Sequence, residues 1–200
     1  MKQLILATNN PHKISEMSAR LSNISLEVLS ADNFPDFPHI EETGMTLEEN
    51  AILKVKAVWD RYNIPCLADD TGLEVEYLRG APGVMSARFA GPACSYDDNN
   101  RKLLVLLENV PESKRKARFR TVIAFIAGAG SIQWVDGILD GSIGFERRGT
   151  HGFGYDPIFI VEGIGKTLAE FASEEKNALS HRGRALAKIR PIVLKALANT

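Results

Sequence analysis

Residues 67–88 read L-A-D-D-T-G-L-E-V-E-Y-L-R-G-A-P-G-V-M-S-A-R, and the reading of this stretch decides the fold. The apolar run Cys66-Leu67-Ala68 opens it and is expected to form a buried strand, with two adjacent acids, Asp69 and Asp70, at its end. Thr71 and Gly72 are expected to turn the chain into a glycine- and proline-bearing loop that ends on Ser86 and Arg88. Carboxylates at a strand end are costly unless they hold a cation or accept hydrogen bonds. Their hard oxygens suit Mg²⁺, which binds through one or two carboxylates plus substrate phosphates. The plainer reading is an acidic turn, because Asp, Thr and Gly are ordinary turn residues. By itself the pair favours the turn; the rest of the chain favours the cation.

Upstream of this strand, Pro65 separates it from a helix with a good start signal, Thr46 and Glu49 fitting a capping box. Leu47, Ala51, Val55, Val58 and Tyr62 recur at helical spacing along its core face. Residues 31–44 carry two prolines, Pro35 and Pro38, and read as a loop. Gln3 to Ala7 reads as a first buried strand, followed by a turn at Asn9, Asn10 and Pro11 and a helix from about Lys13 to Leu21; Leu26 to Leu29 reads as a second strand. Downstream, Ser95 is expected to cap a helix with Leu103, Leu104 and Leu107 inward. Phe119 to Ala127 reads as a strand, joined through Gly128-Ala129-Gly130-Ser131 to Ile132–Val135 in a hairpin. Ser180 is expected to cap a last helix bearing Leu186, Ile189 and Val193. Helices at both ends with strands between them make this an α/β chain with some antiparallel pairing.

The 200 residues suit one domain or two closely joined lobes. With 44% apolar and 24% charged residues, disorder is not expected. A formal net charge of -1 supplies no field for holding long nucleic acid, so no nucleic-acid partner is expected. The basic run Lys114–Arg120 reads as a solvated strand entrance. Cys66 and Cys94, the only cysteines, lack metal-site spacing, which fits a reducing compartment without a disulfide framework. Leu4-Ile5-Leu6-Ala7 is too short for a signal peptide and no segment is expected to span a membrane, so a cytoplasmic location is expected.

Four further clusters carry chemistry. Thr8-Asn9-Asn10-Pro11-His12-Lys13 follows the first strand, where free N–H groups and the helix dipole would make an anion cradle and Lys13 would add a charge. It is not a Walker loop, and an ordinary N-cap turn is the plainer reading. Glu41, Glu42, Thr43 and Gly44 form a second acidic element ahead of the capped helix. On that helix Asn50 and Lys54 are four apart and share a face. In Gly149–Phe159, glycines flank Phe153, freeing its ring to lie on a flat base, and Asp156 precedes Pro157. In Glu174–Gly183, Lys176, His181 and Arg182 gather three potential cations near a helix start, a conflict an anionic ligand would relieve. Glu174 and Glu175 read as solvated surface.

Together these residues resemble the inosine triphosphate pyrophosphatase family, hydrolases of deaminated purine nucleoside triphosphates, and especially its bacterial members. The likeness runs through A-T-N-N-P-H-K at 7–13, E-E-T-G-M-T-L-E-E-N-A at 41–51 and L-A-D-D-T-G-L with G-A-P-G-V-M-S-A-R. It continues in G-F-G-Y-D-P-I-F at 152–159 and E-E-K-N-A-L-S-H-R-G at 174–183. The resemblance implies an elongated, two-lobed α/β fold around a long mixed sheet, residues 1–200 forming one such domain with its site in the cleft between lobes. It implies cleavage of ITP, dITP or XTP between the α- and β-phosphates, giving a nucleoside monophosphate and pyrophosphate, with Mg²⁺ as cofactor and a homodimer as assembly. By matching position, Asp70 is the implied general base, and Glu41 and Asp70 the Mg²⁺ carboxylates with Asp69 in support. Thr8, Asn9, Asn10, Pro11, His12 and Lys13 are the implied phosphate cradle, with Thr71 also on the substrate. Phe153, Gly154, Tyr155 and Asp156 are the implied base-binding turn, and Lys176, His181 and Arg182 the remaining substrate contacts. Donors aimed at a 6-oxo acceptor would face adenine's 6-amino group as another donor, a costly mismatch. A carboxylate that coordinates metal is a poor base, so Asp69 and Asp70 are candidates to divide those tasks. Many relatives have glycine where Asn9 stands, and Asn is the next residue most tolerant of positive φ. The competing class is a nucleotide-binding protein that keeps the pocket with other or no turnover; all three acids being present argues against it.

Overall fold

The computed structural model describes residues 2–21, 26–128 and 131–198. In chain order its elements are β1 (Lys2–Leu6), α1 (Pro11–Leu21), β2 (Leu26–Leu29), α2 (Leu47–Tyr62), β3 (Cys66–Val75) and β4 (Pro82–Gly83). They continue with α3 (Tyr96–Leu106), β5 (Lys116–Ala127), β6 (Ser131–Ile143), β7 (Phe159–Val161), α4 (Ser173–Leu179) and α5 (His181–Ala198). The strands pair in the order β2-β1-β3-β5-β6-β7, with β4 on β3. β1 runs parallel to β2 and β3, while β4 on β3 and β7 on β6 are antiparallel, so the sheet is mixed as expected. Ala129 and Gly130 of the expected β5–β6 hairpin turn lie outside the described residues.

The chain forms two compact units, one of residues 1–70, 121–137 and 183–200, the other of residues 71–120 and 138–182. In the first, Leu4 and Leu6 of β1, Leu67 of β3, and Ile123 and Phe125 of β5 pack with Met17 and Leu21 of α1 and with Leu186, Ile189 and Val193 of α5. In the second, Leu73, Phe119, Ile143 and Phe159 pack with Leu103 and Leu107. Among the described residues no helix is long and apolar enough to cross a membrane.

The local signals in α2 act as expected. Thr46 Oγ1 accepts from Glu49 N–H at 3.1 Å, and Glu49 Oε2 accepts from Thr46 N–H at 3.3 Å and Met45 N–H at 2.7 Å. Asn63, in the left-handed region at φ 51°, ends the helix by donating its N–H to Trp59 O. Its buried stripe, Leu47, Ala51, Val55 and Val58, also contains Asn50 and Lys54. Two polar residues on a buried face need partners, and that face is where the chemistry lies.

Three expectations need correction. Thr71 and Gly72 do not turn the chain: β3 continues through them to Val75, where antiparallel pairing with β4 sets Leu73 opposite Gly83 and Glu74 opposite Pro82. Asp69 and Asp70 are therefore mid-strand, which rules out the acidic turn. In the basic run only alternate residues are solvated. Lys116 and Arg118 are exposed, whereas Arg115 is 1% exposed and Ala117 and Phe119 are buried, the period-two pattern of a strand with one wet face.

Candidate active site

In the first unit, the turn between β1 and α1 is built by side-chain capping. Asn10 Oδ1 accepts from the N–H groups of His12 (3.0 Å) and Lys13 (3.4 Å), and Thr8 Oγ1 accepts from Asn10 N–H at 3.2 Å. The N–H groups of His12 and Lys13 are thus not free for an anion as expected. What the turn offers is the positive end of a helix with no acid in its first turn, the Lys13 ammonium, the half-buried Thr8 and the exposed Asn9. Asn9 does not use positive φ; among the described non-glycine residues only Asn63 and Arg79 do.

Consecutive strand residues project to opposite sides, and the two acids of β3 meet different lysines. Lys13 Nζ lies 3.1 Å from Asp69 Oδ1, whose side chain is fully buried. Lys54 Nζ lies 3.1 Å from Asp70 Oδ1 and 2.9 Å from Glu42 Oε1. Asn50 Nδ2 donates to Asp70 Oδ2 at 3.2 Å. Three carboxylates, Glu42, Asp69 and Asp70, thus stand beside two ammoniums. Burial pushes the Asp70 carboxyl upward and Glu42 adds to this, against the pull of Lys54 and Lys13. Burial pushes the Lys54 ammonium downward, but Asp70, Asp69 and Glu42 together hold it above the usual lysine range. Glu41 is exposed, and its carboxylate makes no hydrogen bond or ion pair among the described residues.

In the second unit, Asp156 organises the glycine-rich turn. Its Oδ2 accepts from Phe153 N–H at 2.8 Å and lies 2.7 Å from Lys176 Nζ. Gly152, at φ 77°, has no room for a side chain, since a Cβ there would stand 2.1 Å from Asp156 Oδ2. Lys176 Nζ sits 4.8 Å from the Phe153 ring centroid and the Arg182 guanidinium 5.6 Å from it. Phe153 itself is only partly buried, leaving ring surface for a flat partner. Tyr155 is committed elsewhere: it is buried and its hydroxyl donates to Ser86 O at 2.9 Å. Gly154 O accepts from Asn100 Nδ2 at 2.9 Å. His181 lies parallel to Phe119, centroids 4.5 Å apart, and Arg182 donates to Thr71 Oγ1 at 3.1 Å. The structure therefore brings together Phe153, Asp156, Lys176 and Arg182, with Thr71 on Arg182.

The sequence model of the Ham1 family matches residues 4–192. The chain belongs to the Ham1 family. It is 50% identical over 198 residues to the dITP/XTP pyrophosphatase of Caldanaerobacter subterraneus subsp. tengcongensis, covering 98% of each chain. Among solved structures, it is similar to a HAM1 protein from Coxiella burnetii, with 39% identity and a TM-score of 0.89, covering 98% of this chain and 100% of that one. It is also similar to the Ham1 protein of Staphylococcus aureus, with 36% identity and a TM-score of 0.87, covering 97% and 99%. The α/β fold with a mixed sheet is thus the fold of Ham1 proteins.

The acid cluster of this Ham1 chain fits a hard divalent cation. Among the described residues no group of three or more His, Cys, Asp and Glu side chains is placed to hold a metal by itself. Mg²⁺ requires no such cage, since one or two carboxylates and phosphate oxygens suffice. The buried carboxylates of Asp69 and Asp70, with Glu42 and the open carboxylate of Glu41 next to it in sequence, are donors of that kind. Glu42, Asn50 and Lys54, read in the sequence as an acidic element and a polar pair without an assigned role, are partners here, and Asn100 and Phe119 are partners the sequence reading did not name. For Asn50 and Lys54 the signal was visible as an i, i+4 polar pair on an apolar helix face. Asn100 and Phe119 act through contacts distant in sequence, and no local pattern marks them.

Proposed function

We propose that this protein hydrolyses deaminated purine nucleoside triphosphates, dITP, ITP and XTP, to the nucleoside monophosphate and pyrophosphate. The observation that carries this reading is the half-identity over 98% of both chains to a relative named dITP/XTP pyrophosphatase. The buried acid–lysine cluster agrees with it, because phosphoryl transfer depends on positioning and charge neutralisation.

Asp70 is the proposed general base. Of the two strand acids it keeps slight exposure, and its raised proton affinity makes it the better acceptor for a proton from water. Asp69, held by Lys13, supports it. As water attacks, its proton passes to Asp70 and the bond between the α- and β-phosphates breaks, with pyrophosphate leaving. Lys13 and the positive dipole end of α1 are assigned to phosphate charge, with Thr8 and Asn9 beside them. Glu41 and Asp70 are the proposed Mg²⁺ ligands; bound Mg²⁺ would neutralise phosphate charge. Phe153 is assigned to stack on the base, and Lys176, His181 and Arg182 to supply donors toward it. Asp156 fixes the Phe153 turn and the Lys176 ammonium rather than meeting substrate through a free carboxylate. A homodimer and a cytoplasmic location complete the proposal, the latter in keeping with two free cysteines.

The test is a panel of dITP, ITP, XTP, ATP and GTP with Mg²⁺, scored for pyrophosphate. Release from the first three and little from ATP or GTP is the expected result. Release of single phosphates, or equal rates on ATP, would overturn the reading.

A further inference from the structure

Asn50 is fully buried on α2, and both ends of its amide are in use. Its Oδ1 accepts from Gly44 N–H at 2.7 Å, and its Nδ2 donates to Asp70 Oδ2 at 3.2 Å. Chemistry fixes that orientation. A backbone N–H can only donate, so the atom facing Gly44 is the amide oxygen, and the group facing Asp70 is therefore the donor. Turning the amide over would set donor against donor and acceptor against acceptor.

The capping box already holds the N–H groups of Met45 and Thr46 through Glu49. Asn50 adds the next N–H upstream, Gly44, and with it ties the backbone of the Glu41–Gly44 segment to the Asp70 carboxylate. Gly44 makes the approach possible, since a Cβ there would stand 2.6 Å from Asn50 Oδ1. With Lys54 on Oδ1 and Asn50 on Oδ2, both oxygens of the Asp70 carboxylate are held, and its plane is fixed.

We infer that Asn50 is a positioning residue: one amide sets the plane of the Asp70 carboxylate and registers the Glu41–Gly44 segment against it. The inference rests on the assignment of Asp70 as general base. A base takes a proton efficiently only when its lone pair is aimed at it, so loss of aim lowers turnover rather than affinity.

Asn50→Asp tests this nearly isosterically. It keeps the acceptor for Gly44 N–H and places a carboxylate oxygen where Asp70 had a donor. The expected result is a fall in kcat on dITP of about a hundredfold, the scale of general-base catalysis, with KM within about threefold. A second readout needs no activity. Combining Asn50→Asp with Asp70→Asn exchanges amide and carboxylate, so the hydrogen bond re-forms. The double variant should recover most of the thermal stability that Asn50→Asp loses, while remaining inactive. Should Asn50→Asp fail to fold, Asn50→Ala, which adds no charge, carries the same kcat-against-KM readout. Wild-type kcat in the single variant, KM rising as far as kcat falls, or strictly additive stability effects would each overturn the inference. If the wild-type protein releases no pyrophosphate, the proposed function falls, and the stability cycle alone still decides whether Asn50 holds Asp70.

Discussion

Lys176 Nζ lies 2.7 Å from Asp156 Oδ2, and the two side chains are 5% and 4% exposed. A buried ion pair adds little net stability, because desolvation cancels most of the attraction, but removing one partner leaves an uncompensated charge. Asp156→Ala also deprives Phe153 N–H of its acceptor. We expect it to lower the unfolding free energy in urea by about 3 kcal/mol or more. Removing Lys176 as well should cost less than removing Asp156 alone. An undiminished stability in Asp156→Ala would show that the pair does not hold the turn.

Glu41 and Glu42 are neighbours with different commitments. Glu42 Oε1 is 2.9 Å from Lys54 Nζ, whereas the Glu41 carboxylate is open. On the proposed assignment, Glu41→Gln should raise the Mg²⁺ concentration needed for half-maximal turnover by about tenfold, the scale of one lost hard-oxygen ligand. Glu42→Gln should move it less and act through Lys54. A Mg²⁺ titration of both variants checks this, and the reverse order would transfer the ligand role to Glu42.

Arg115 is 1% exposed and has no carboxylate partner among the described residues. Its guanidinium donates instead to the carbonyls of Leu107 (2.5 Å), Gly144 (2.6 Å), Ile143 (2.7 Å) and, more weakly, Val110 (3.4 Å). These carbonyls lie at and just past the ends of α3 and β6, so one side chain holds the ends of two elements. Arg115→Met removes the guanidinium donors of the buried Ile143 and Gly144 carbonyls, at about 1–3 kcal/mol each, while Leu107 O keeps the Val110 N–H, and we expect the variant to be severely destabilised at 37 °C. Arg115→Lys should recover only part of the loss, because an ammonium cannot reproduce the planar fork. Circular dichroism melts of the two variants are the measurement.

Arg115 also marks the limit of what was legible. In sequence it was one member of a basic run, and nothing local distinguishes it from exposed Lys116 and Arg118; its burial follows from carbonyls presented by α3 and β6. The strand through Asp69 and Asp70 was legible, yet its length was not. Thr71 and Gly72 have turn propensity, and pairing of Leu73 and Glu74 with β4 overrides it. The capping box at Thr46 and the cap at Ser95 were readable because they are local devices, while the reciprocal Asp98 contact at Ser95 emerged only in the structure. The set at Phe153, Asp156, Lys176 and Arg182 was legible as residue types, while the commitment of Asp156 to Lys176 and of Tyr155 to Ser86 was not. Those bonds join residues 20 and 69 positions apart.

Cys66 gives the structure a pH signature. The residue is fully buried at the start of β3 and its thiol donates to Val55 O at 3.2 Å. Burial pushes its pKa from 9.0 up to about 12. An unfolded chain therefore loses this proton before the folded one does. The contribution to stability is complete below about pH 9 and declines as pH rises toward 12, by up to about 1.4 kcal/mol per pH unit. Cys66→Ala removes this dependence, so the stability difference between wild type and variant should shrink steadily from pH 9 to 11 in urea melts. In the native protein, iodoacetamide at pH 8.5, a condition at about the ordinary thiol pKa, should modify the partly exposed Cys94 first. It should reach Cys66 only through the small population of opened protein, far more slowly than Cys94. A stability difference that stays constant across this range would show that the thiol ionises in place.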